Sequence, residues 1–84
     1  MSEHKIILSP RSKERALYML EQNKLEFYVA RTASKHDIKG AIKALFQVEV
    51  SKVNTRITKE GKLAIVKLAE GSSAEDLSNR LGIL

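Results

Sequence analysis

The chain has 84 residues, about half the usual length of a domain, and its 15 Lys+Arg against 10 Asp+Glu leave a net charge of +5. Hydrophobic residues at 43% against 30% charged belong to a folded chain, and the absence of Cys excludes disulfide staples, thiolate catalysis and Cys-containing zinc sites. No apolar run is long enough for a membrane span or a signal-peptide core, so the expectation is one small, basic, cytoplasmic domain of residues 1–84 with a large anionic partner and no membrane insertion.

The charge is uneven. Residues 1–59 hold 12 Lys+Arg and 6 Asp+Glu, whereas residues 60–84 hold 3 and 4. A basic body with a near-neutral end predicts one side for nucleic acid and another for solvent or protein. No linker, repeat or low-complexity stretch interrupts the chain.

Lys5-Ile6-Ile7-Leu8, ended by Ser9-Pro10, predicts a first strand running into a turn. Ser12 is placed to cap a helix carrying Ala16, Leu17 and Leu20, which Asn23-Lys24 ends. Leu25, Phe27 and Val29 alternate with Glu26, Tyr28 and Ala30 as in a strand with one apolar face. Ser34 and Asp37 have the spacing of a capping box, and Ile38, Ala41, Ile42, Leu45 and Phe46 form the stripe of an amphipathic helix. Lys35, Lys39 and Lys43 fall four apart on another stripe of that helix.

Val48 and Val50 alternate in one parity, whereas Val53, Thr55 and Ile57 alternate in the other. A bulge at Ser51-Lys52 reconciles them in one long strand. Lys59-Glu60-Gly61-Lys62 reads as a tight connection to a returning strand, Leu63 to Leu68. Ser72 and Glu75 form a second capping-box pattern before Leu77 and Leu81, with Gly82 at the C-cap position. The order is β-α-β-α-β-β-α, an α+β domain with a four-stranded, mainly antiparallel sheet and two to three helices. The predicted core is Ile6, Leu8, Leu17, Leu20, Phe27, Val29, Ile38, Ile42, Leu45, Phe46, Val48, Val50, Val66 and Leu68.

Little in the chain resembles catalytic machinery. His4 and His36 lie in polar surroundings, the four glycines are isolated, and no phosphate-loop, dinucleotide or zinc-protease pattern occurs. No cofactor, metal or small-molecule substrate is expected, and the chain reads as a non-enzyme. The one enzyme-like alternative is an acylphosphatase-type site using Arg11 and Asn54, but Ser9-Pro10-Arg11-Ser12 has no Gly and Pro10 removes an N–H donor. The basic residues cohere better as an RNA surface. Arg11, Lys13 and Arg15 cluster before the first helix and Lys35 opens the central one. Asn54, Thr55 and Arg56 share a strand, and Lys59 and Lys62 flank the hairpin tip. Tyr18 and Tyr28 are candidate stacking platforms, but no RRM-type aromatic motif accompanies them.

The order of motifs resembles a known family. Ser9-Pro10-x-Ser12-x-Glu14-Arg15-Ala16 is similar to the P-x-x-S-E-K-A start of the universal large-subunit ribosomal protein L twenty-three family. Ala33-Ser34-Lys35-x-Asp37-Ile38-Lys39-x-Ala41-Ile42 resembles its A-T-K-x-E-I-K-x-A-V segment, and Leu45-Phe46-x-Val48-x-Val50-x-x-Val53-Asn54-Thr55 resembles its L-F-x-V-x-V-x-x-V-N-T segment. Ala64-x-Val66-x-Leu68 is similar to its A-Y-V-x-L strand.

The resemblance implies a structural constituent of the large ribosomal subunit that binds large-subunit rRNA beside the nascent-chain exit tunnel. It also implies neighbours, including the L twenty-nine family member, and a docking platform for the signal recognition particle and the translocon. Glu14 matches the family's acidic factor-docking position. Lys13-Glu14-Arg15 stands where the family has S-E-K, which displaces Ser12 by one position. Thr58 to Lys62 leaves no room for the long bacterial hairpin extension, so the resemblance is to the short archaeal or eukaryotic-core form and argues against trigger factor as a partner. The alternative is a small RNA- or protein-binding module outside the ribosome.

Overall fold

A computed structural model describes residues 6–10 and 16–81 of the chain. His4, Arg11, Ser12, Lys13, Glu14, Arg15 and Gly82 lie outside the described residues. The elements are β1 (Ile7–Pro10), α1 (Ala16–Glu21), β2 (Lys24–Val29), α2 (Lys35–Phe46), β3 (Val50–Thr58), β4 (Gly61–Leu68) and α3 (Ala74–Leu81). The strands form one sheet in the order β1-β2-β4-β3, and every neighbouring pair is antiparallel. This is the α+β arrangement that the sequence patterning predicts.

Strand alternation positions the core. Leu25, Phe27 and Val29 are buried on β2, and register sets Val66, Ala64 and Lys62 opposite them on β4. Helix α2 covers this face with Ile38, Ala41 and Ile42, and the Phe46 ring stacks on Phe27 with centroids 6.0 Å apart. Ala74 and Leu77 of α3 join the same cluster, and α1 packs on β2 with Leu20 against it.

Helix α2 starts where its capping box requires. Ser34 Oγ accepts the Asp37 N–H at 3.1 Å, and Asp37 Oδ2 accepts the Ser34 N–H at 3.0 Å. The Ser34 N–H and then its hydroxyl hold the Asp37 carboxyl below the usual Asp pKa, because both bonds favour the charged form. The helix ends at Gln47, whose left-handed backbone (φ 56) directs its N–H to Lys43 O.

Several sequence expectations are corrected. Strand β1 includes Ser9 and Pro10 instead of stopping before them. Proline is tolerated there because β1 is an edge strand. Leu8 is 61% exposed rather than in the core, since the register shifts between Ile7 and Ser9 and the buried Ile6 and Ile7 take the inward places. Leu20, Leu45 and Phe46 are half-buried at the core margin, while Val53, Leu63, Ala64 and Leu77 are buried members that the predicted core omits. Nothing is described of the Leu17 side chain.

The bulge in β3 is present. Val50 pairs with Leu68 and Lys52 with Lys67, so Ser51 is the extra residue that lets Val50 and Val53 both face inward. The strand begins at Val50, not Val48. Strand β4 begins at Gly61, two residues before the expected Leu63, because Thr58 pairs with Gly61 across a turn made by Lys59 and Glu60 alone. At φ 138 Gly61 occupies backbone space that other residues rarely reach.

The cap of α3 also differs from the expected Ser72 box. Ser73 Oγ accepts the Asp76 N–H at 3.2 Å, which makes Ser73 the cap. Ser72 Oγ instead accepts the Glu49 N–H at 3.0 Å, tying the start of α3 to the segment before β3.

Candidate nucleic-acid interface

Pleating separates the residues proposed for RNA. Successive side chains alternate between faces, so Asn54 and Arg56 lie on the face away from α2 while Thr55 between them lies on the α2 side. Asn54 and Arg56 are exposed and Thr55 is half-buried. Lys59 is exposed in the hairpin turn, and Lys35 is exposed on the first turn of α2, on the opposite side of the sheet from Asn54.

Lys62 is engaged elsewhere. It falls in the inward row with Val29 and Ile57, and its ammonium donates to Ala33 O at 2.6 Å and to Arg31 O at 3.4 Å. Those bonds fasten the loop that delivers the chain into α2, so Lys62 holds the fold as well as carrying charge. The sequence-proposed set therefore divides. Asn54 and Arg56 share one face, Lys59 sits at its tip, and Lys35, Thr55 and Lys62 belong to the other side.

The face away from α2 carries residues that sequence reasoning passed over. Lys52 lies opposite Lys67, and Lys67 opposite Lys24, so three lysines form one row across β3, β4 and β2. Lys52 and Lys67 are exposed and Lys24 is half-buried. Asn54, Ile65 and Glu26 form the next row, followed by Arg56, Leu63 and Tyr28. Strands β3 and β4 contain no Asp or Glu at all; the one acid of the hairpin is Glu60 in its turn. The only available signal was that acid-free composition, which covers Lys52 and Lys67 but not Lys24, because cross-strand register is not written in any single segment.

Other chemistry finds no support among the described residues. No group of three or more His, Asp or Glu gathers as metal ligands, and no helix is long and apolar enough to cross a membrane. His36 is exposed on the first turn of α2.

A cationic, acid-free sheet edge with Asn and Arg presented side by side suits a polyanion, and the family comparison gives that surface its context. The model of the family described as Ribosomal protein L23 matches residues 5–75. The chain belongs to this family. A large ribosomal subunit protein uL23 of Picrophilus torridus is 47% identical over 78 residues, covering 92% of this chain and 95% of that protein. The uL23 of Methanothermobacter thermautotrophicus is 39% identical over 85 residues, covering 99% of each chain. That of Thermoplasma acidophilum is 46% identical over 79 residues, covering 93% of this chain and 94% of its own. All three relatives are archaeal, in keeping with the two-residue turn between β3 and β4. Membership in a family of ribosomal proteins sets aside the acylphosphatase-like reading of Arg11 and Asn54: the chain is a non-enzymatic ribosomal protein.

Proposed function

We propose that residues 1–84 act as a single rRNA-binding domain of the large ribosomal subunit, in the cytoplasm, seated beside the polypeptide exit tunnel. The observation that carries this is the acid-free β3–β4 pair, which presents Asn54 and Arg56 together on an exposed cationic face in a chain of a large-subunit family. Mechanistically, Lys and Arg neutralise phosphates and release counterions, which supplies salt-sensitive affinity. Asn54 offers a donor and an acceptor to a ribose hydroxyl or base edge, which supplies selectivity among folded RNAs. Arg11, Lys13, Arg15, Lys35, Thr55, Lys59 and Lys62 complete the proposed contact set. Around this core, the L twenty-nine family member is the proposed neighbour, and Glu14 the proposed docking point for the signal recognition particle and the translocon.

The test is a salt series of binding to the cognate large-subunit rRNA beside an equally long arbitrary RNA. Cognate binding should persist at salt concentrations that release the arbitrary RNA. Asn54→Ala should weaken cognate binding about tenfold, in line with 1–3 kcal/mol for a good polar base contact, and arbitrary binding far less. Equal loss on both RNAs removes the selective role of Asn54. Indistinguishable binding of the two RNAs by the unaltered protein, with failure to co-sediment with ribosomes, favours a non-ribosomal module.

A further inference from the structure

Like charges directly opposite on neighbouring strands cost stability, so a row of them needs a physical reason. Lys24, Lys67 and Lys52 stand in such a row across three strands. Neighbouring strands lie about 5 Å apart, so the three stems rise from a line about 10 Å long running perpendicular to the strands. None of the three makes an ion pair or side-chain hydrogen bond among the described residues. Contrast the stripe on α2, where Lys43 pairs with Glu49 at 3.4 Å. Two lysine triads thus lie on opposite sides of the sheet, and of the two only the α2 stripe has an ion pair among the described residues, while Glu26 stands one register row from the sheet triad.

We infer that the Lys24–Lys67–Lys52 row is the phosphate grip of the RNA interface, holding an RNA backbone that crosses the sheet from β2 to β3. The inference rests on the rRNA-binding reading and adds where the backbone lies. Lysine suits the task because its flexible four-carbon stem lets a compact charge follow successive phosphates, and the polyanion relieves the repulsion that the row creates. Asn54 sits one register row away, on the same exposed face, where it meets the sugar or base edge of the strand so held.

The experiment uses the full chain and transcribed cognate large-subunit rRNA, with arbitrary RNA alongside. Two triple variants remove equal charge: Lys24→Gln with Lys52→Gln and Lys67→Gln, and, as a control, Arg31→Gln with Lys39→Gln and Lys43→Gln, three exposed positions outside the proposed contact set. For the sheet triple, the slope of log affinity against log salt should become shallower by about 2–3, with about a 10- to 100-fold loss at physiological salt. The control triple should lose less than about threefold, since distant exposed charges are screened beyond about 8–10 Å. Lys→Arg at the three sheet positions should restore the slope, because the charge returns. Equal losses from the two triples, or an unchanged sheet triple, overturn the inference; the latter outcome assigns the row to an acidic protein surface instead. If the sheet triple does not fold, Lys67→Gln alone should reduce the slope by about 1, and no reduction overturns the inference. Failure of the unaltered protein to prefer cognate RNA strikes the ribosomal reading separately, because the two triples still differ or agree on arbitrary RNA.

Discussion

At the residue scale, Asn23 does more than end a helix. Its backbone is left-handed (φ 60), its Nδ2 donates to Leu68 O at 3.2 Å and Ser72 O at 2.9 Å, and its Oδ1 accepts the Ala74 N–H at 2.7 Å. Its own carbonyl accepts the Leu68 N–H at 2.9 Å. One side chain therefore joins the start of β2, the end of β4 and the first residue of α3. Few other residues fit. Asparagine tolerates the left-handed region and its amide offers both donors and an acceptor. Asn23→Ala should cost about 2–4 kcal/mol, from unsatisfied part-buried groups plus backbone strain. Asn23→Gly should cost about 1 kcal/mol less, because it keeps the conformation and loses only the bonds. Denaturant unfolding of both variants checks the order, and equal costs would show that the backbone conformation contributes nothing.

At the element scale, the bulge in β3 decides which side chains reach solvent. Val50 and Val53 are three apart, so a regular strand would put them on opposite faces. Ser51, the residue skipped in pairing, brings both inward and leaves Lys52, Asn54 and Arg56 on the outer face. Deleting Ser51 should therefore leave a regular strand with the same facing, at a cost below about 1.5 kcal/mol. Deleting Asn54 instead should reverse the facing of Thr55 to Thr58 and swap Arg56 inward, costing several kcal/mol or abolishing folding, on the order of a buried unpaired charge. Thermal melts of the two deletions separate these outcomes. A Ser51 deletion as damaging as the Asn54 deletion would contradict the assigned bulge.

For the whole molecule, charge and fold pull in different directions. The net charge of +5 on a chain of 84 residues favours an anionic partner but repels itself when alone. A domain this small buries only about 60–65% of its unfolded surface, so even about 1 kcal/mol of repulsion matters. Raising salt from about 10 mM to about 200 mM should therefore raise the melting temperature by a few degrees, as the screening length shrinks from about 30 Å toward about 8 Å. Scanning calorimetry at the two salts reads this directly. A melting temperature that falls with salt would mean that attractive pairs outweigh repulsion in the free domain.

Much of this protein was legible in one dimension because the signals are local. The stripe of Ile38, Ala41 and Ile42, the Ser34–Asp37 box and the parity change between Val50 and Val53 each lie within one element or its cap. Hence element order, the main helix, the bulge and the family resemblance all followed from residue spacing. The site was legible only in part. Asn54 and Arg56 were picked out by residue type and do share a face, yet the same reasoning grouped them with Thr55 and Lys62, which pleating and register turn toward α2. The lysine row was invisible because its members come from three strands as many as 43 positions apart. The exposure of Leu8 and the bonds of Asn23 depended likewise on partners distant in the chain. Periodicity along the chain determines which elements form and which way their side chains alternate. Cross-strand register, fixed only when all four strands pair, decides which charges become neighbours.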